Sequence, residues 1–74
     1  MTDLTVVIGE TAGKVWRHLA AEGEQLLATL HTALGESSDR VQMAVGWLAR
    51  EGKIQVRSEG GRVQVALKEN DENW

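Results

Sequence analysis

Residues 37–54, SSDRVQMAVGWLAREGKI, decide the fold. Val41, Ala44, Val45 and Leu48 recur at the three- and four-residue spacing of one helix face. Ser37 stands where a side-chain hydroxyl can accept a hydrogen bond from a free amide of the first helical turn. Gly52 follows the last periodic residue, where a left-handed helix stop costs least without a side chain. Past Gly52 the period drops to two, with Ile54 and Val56 alternating against Lys53, Gln55 and Arg57. The stretch reads as a helix over about residues 38–51 that passes through a glycine into a strand.

Upstream, the same periodicity marks two more helices. Ile8, Ala12, Val15, Trp16 and Leu19 form an apolar stripe over about residues 8–22, closed by Gly23. Trp16 is expected in the core. Gly9 and Gly13 lower the intrinsic propensity of this segment, so packing has to hold it. Residues 1–7 read as an arm, and Val6, Val7 and Ile8 fit either a short strand or the entry to the first helix. Residues 24–26 make a short connector with the option of pairing as a minor strand. Leu27, Leu30 and Leu34 then share one face of a helix over residues 27–34, too short to persist alone in water. Gly35 ends it, and residues 35–37 turn the chain into the third helix. A short helix, a glycine-bearing turn and a longer helix make a helix-turn-helix signature.

Downstream, Gly60-Gly61 is a strong turn signal between two alternating runs. Val63, Val65 and Leu67 continue the alternation, so the two runs form a hairpin with one dry face. A lone hairpin is unstable, and that face must pack on the helices. Residues 68–74 read as a polar, frayed tail. Three helices followed by a two-stranded hairpin within residues 8–67 are an α+β, winged helix-turn-helix order, with the hairpin tip as the wing. The chain of 74 residues accommodates this one domain.

Two stretches also look familiar. IGETAGKVWRHL (residues 8–19) and AVGWLAREGKI (residues 44–54) resemble a family of small bacterial winged helix-turn-helix proteins of unassigned function. The likeness runs from about residue 7 to residue 67, and GWLAREGKI is its most specific part. It implies a winged-helix fold, no catalytic activity, and no set of functional residues to carry over. One departure from the general helix-turn-helix pattern is Glu36, where the residue after the turn glycine is usually apolar.

Composition bounds the function. The chain has no cysteine, which excludes disulfides and thiolate metal sites. No apolar run approaches the roughly 18 residues of a membrane span. The first ten residues lack the basic start and apolar core of a signal peptide, so a cytoplasmic location is expected. His18 and His31 fall on different helices without the convergent ligands that metal binding requires, so neither metal nor cofactor is expected. Ser37, Ser38 and Ser58 lack a nucleophile-elbow context, and Gly60-Gly61 lacks the lysine and helix of a phosphate loop. An enzyme is not expected.

The net charge is −3, but it is unevenly spread. Residues 37–62 hold Arg40, Arg50, Lys53, Arg57 and Arg62 against Asp39, Glu51 and Glu59, a locally basic face on an acidic chain. Two classes of function follow. In a DNA-binding winged helix the N-terminal part of the third helix enters the major groove. Ser38, Asp39, Arg40, Gln42 and Met43 would then lie near base edges, Arg40 matched to guanine and Gln42 to adenine. Arg57 and Arg62, flanking the wing, would contact phosphate. The other class is a protein-interaction module, a homodimer using the outward stripe Arg40, Met43, Trp47 and Arg50, since exposed Trp, Met and Arg favour interfaces. In a monomer Trp47 is expected to fold back on the hairpin or the first helix.

Overall fold

The computed structural model describes residues 3–68. Helix α1 spans Thr5–Glu22, a minimal strand β1 Gln25–Leu26, helix α2 Leu27–Leu34 and helix α3 Ser38–Arg50. Strands β2, Ile54–Glu59, and β3, Arg62–Leu67, form the hairpin. The sheet is antiparallel in the order β1-β3-β2, with β1 pairing Gln25 to Val65 and Leu26 to Gln64. The expected minor strand therefore forms and makes the sheet three-stranded.

Each boundary has a local cause. Ser37 accepts the Arg40 amide on its hydroxyl at 3.2 Å and caps α3. At the far end of α3 the amides of Gly52 and Lys53 donate to the carbonyls of Ala49 and Leu48, the paired bonds of a Schellman stop. The same pattern closes α2, where the Gly35 and Glu36 amides donate to Thr32 and His31. Gly35 adopts φ 66°, ψ 31°, a left-handed backbone that a Cβ would strain, and this sharp stop makes the helix-turn-helix corner. Gly60 and Gly61 both have positive φ and form a two-residue turn between the paired Glu59 and Arg62.

Helix α1 starts three residues before the expected residue 8, so residues 5–7 belong to the helix and not to an arm. The carboxylate of Asp3 accepts hydrogen bonds from both the amide and the hydroxyl of Thr5, which satisfies one of the free amides at the helix start. The same two bonds hold the Asp3 carboxyl below its ordinary range. The tail beyond Lys68 lies outside the described residues.

The core is built from the predicted stripes. Ala12, Val15 and Leu19 of α1 pack with Leu30 of α2, and with Val41, Ala44, Val45 and Leu48 of α3. Ile54 and Val65 close it from the sheet. Trp16 is half-buried at the margin instead of in the core, and its indole N–H is covered without a hydrogen-bond partner among the described residues. The hairpin's inner face is only partly dry. Val65 is fully buried, whereas Val56, its partner across the ladder, stays 42% exposed. Strand β3 is central and lies under α1 and α2, while β2 is an edge strand that only α3 approaches closely. Cover therefore runs out one strand beyond the core.

Candidate nucleic-acid interface

The beginning of α3 and the tip of the hairpin converge. Gln42, one turn into α3, lines a surface cleft of about 460 Å³ with Gly61, Arg62 and Val63 of the hairpin and residues 26–28 at the start of α2. A second cleft of about 520 Å³ is lined by Ser37, Asp39, Arg40, Gln42 and Met43, with Leu4 from the entry to α1. Gln42 belongs to both, and so marks where the two clefts meet. Of the sequence-predicted residues of α3, Gln42 shares a cleft with Arg62, Asp39, Arg40 and Met43 line the adjoining one, and Ser38 lines neither.

Their polar groups are partly engaged. The Gln42 side-chain amide donates to the Ser38 hydroxyl at 3.1 Å. An amide NH₂ has two donors, so one N–H and the carbonyl remain for a base edge. Arg62 has no ion pair among the described residues, and it is exposed. Arg57 is engaged differently. It shares the sheet face of Arg62, since Arg57 pairs with Gln64 and Glu59 with Arg62, but its guanidinium pairs with the Glu24 carboxylate on the connector before β1. Structure therefore separates the two wing arginines: Arg62 joins the α3 surface, and Arg57 is tied to the far edge of the sheet.

Glu36 has a role that its position in the turn did not announce. It is largely covered, with its side chain 15% exposed. One oxygen, Oε2, accepts from the Lys14 ammonium on α1. The other, Oε1, lies 4.0 Å from Nη1 of Arg40, in the first turn of α3. The Lys14 hydrogen bond holds the Glu36 carboxyl below its usual range; partial burial opposes this, and the charges of Lys14 and Arg40 add to it. The carboxylate that replaces the usual apolar residue is thus accommodated by two cations from two helices. The available signal was the four-residue spacing from Glu36 to Arg40. Lys14 could not be found that way, because its contact depends on how α1 crosses the turn.

The outward stripe of α3 is also present. Arg40, Met43, Trp47 and Arg50 are all exposed, Met43 by 37% and Trp47 by 44%. Trp47 is partly covered, not enclosed as a second core. Among the described residues, no three His, Asp or Glu side chains gather where they could hold a metal ion. Nor is any described helix long and apolar enough to cross a membrane.

Residues 1–67 match the family model of the winged helix-turn-helix domain DUF2582. The chain belongs to this DUF2582 family. An uncharacterized protein of Methanocaldococcus jannaschii is 44% identical over 71 residues, spanning 92% of this chain and all of that protein. The family therefore reaches an archaeal relative, beyond the bacterial range of the resemblance. Among solved structures, the solution structure of a Bacteroides thetaiotaomicron protein is similar, with TM-score 0.75 and 31% identity over 82% of this chain and 74% of that one. The Zα domain of Carassius auratus PKZ, solved in complex with Z-DNA, superposes with TM-score 0.73 at 18% identity. It covers 84% of this chain and 98% of its own, a likeness of fold.

Proposed function

We propose that this DUF2582 chain is a DNA-binding module that lays the first turns of α3 in the major groove of duplex DNA and its hairpin tip along the neighbouring backbone. One observation carries the reading: Gln42 of α3 and Arg62 of the wing line a single cleft, with Arg40 on the adjoining one. Gln and Arg present the paired hydrogen-bonding groups that base edges match, and an arginine at the wing tip suits phosphate. The Zα domain, an example of the same architecture seen on DNA, supports it by analogy of fold. This reading includes no catalytic step and places the chain in the cytoplasm.

Few cations face the site, so affinity should be modest and governed by salt. Titration of a labelled duplex at about 20 mM and then about 150 mM salt should show binding that weakens steeply, because each neutralised phosphate releases counterions. No binding at the lower salt sinks the reading. The exposure of Met43 and Trp47 favours a second reading, self-association through the same helix face. Sedimentation should then show a dimer that Trp47→Ala dissociates, and a monomer at every concentration would rule it out.

A further inference from the structure

Glu36 is joined to both Lys14 and Arg40, yet the DNA-binding reading leaves it without a role. A buried-side carboxylate beside a groove-facing arginine opposes phosphate binding twice, by its own charge and by the cation it occupies. We propose that Glu36 is a positioning residue for Arg40, holding the guanidinium back over the turn and taking up part of its charge, so that DNA must compete with Glu36 for Arg40. This rests on the DNA-binding reading above.

The geometry carries the inference. The two oxygens of Glu36 are divided between two cations on different helices, with Lys14 in direct hydrogen bond and Arg40 at 4.0 Å. Lys14 fixes the carboxylate, and the carboxylate reaches Arg40 from a fixed point. The Arg40 contact is the looser of the two, and the arginine side chain remains 46% exposed. A loose, exposed pair is easily exchanged for another anion, since such pairs contribute little. Arg40 also lines the cleft that Gln42 shares with the wing cleft, so whatever turns its guanidinium changes what the cleft offers to a base or a phosphate. The arrangement trades affinity for control of direction: the arginine is held where its charge is partly spent until a stronger anion arrives.

The test is a double-mutant cycle on duplex binding, using wild type, Glu36→Gln, Arg40→Ala and the double variant. Glu36→Gln keeps the shape and removes the charge. It should tighten binding about three- to fivefold, the scale set by one exposed ion pair. It should also steepen the dependence of log affinity on log salt, because Arg40 then engages phosphate fully. In the Arg40→Ala background the same change should bring little gain. A gain that survives without Arg40 means that Glu36 acts only as a general negative charge, and overturns the proposal. No gain in either background overturns it as well, while DNA binding itself stands. If no variant binds duplex at low salt, the DNA-binding reading falls and takes this one with it. Thermal melting of each variant separates these outcomes from unfolding, and a fold-preserving Glu36→Gln is expected because the amide keeps the carboxylate's shape and its oxygen can still accept from Lys14.

Discussion

Leu48→Ala should destabilise this domain more than any change on its surface, by about 3 kcal/mol. Leu48 is fully buried on the inner face of α3, among core residues from all three helices and the sheet. Removing its side chain gives up the transfer free energy of three carbons and leaves a cavity that three helices and a sheet can only partly fill. For a chain of 74 residues the whole stability is on the order of 5–10 kcal/mol. The loss is therefore a large share of the total, and a short chain has little further core to compensate. The urea midpoint should drop by about 3 M, given a slope near 1 kcal/mol per molar for so small a protein. Val56→Ala makes the contrast. Val56 is similarly apolar and lies across from a fully buried valine, but it is 42% exposed on the edge strand. Its replacement should cost less than about 1 kcal/mol. Equal losses at the two positions would mean that the hairpin packs on the helices more completely than the structure describes.

The second large effect separates the wing arginines. Arg62→Ala should weaken duplex binding about tenfold at low salt and reduce the salt slope by about one, because it removes a phosphate contact beside α3. Arg57→Ala should change binding by less than about twofold, since that guanidinium is paired with Glu24 and lines neither cleft. Sequence position alone treats the two residues alike, as both flank the turn. Fluorescence anisotropy on the two variants with one duplex decides the matter. The same loss from both would show that the wing meets DNA broadside and not by its tip.

This contrast also shows what could be read from the chain and what could not. The helix stripes, the three glycine-marked stops and the alternation of the hairpin are local periodicities, and the structure follows them. Residues 27–34 and the Ser37 cap hold as read, because each depends on neighbours within a turn. The misreadings are all non-local or end effects. The start of α1 depends on Asp3 bonding Thr5, whereas the apolar stripe begins only at Ile8, because the residues before it carry no period. Val56 follows the inward alternation yet lacks cover, since alternation gives a face and not what lies over it. Glu36 looked like a departure from pattern and is a bridge between helices, a fact fixed by the path of α1 past the turn. For the candidate interface, the α3 residues were legible from helical spacing. The meeting of Gln42 with Arg62 in one cleft, and the engagement of Arg57 by Glu24, were set by tertiary packing and by an ion pair 33 residues apart in the chain.

The central claim is that DNA is met by the first turns of α3 together with the wing tip. Amide NMR of ¹⁵N-labelled protein titrated with a short duplex tests it most directly. Shifts should cluster at residues 37–43 and 60–63, with Arg57 and the body of α1 unmoved. Shifts centred on α1 or on β1, or none at low salt, would overturn this reading.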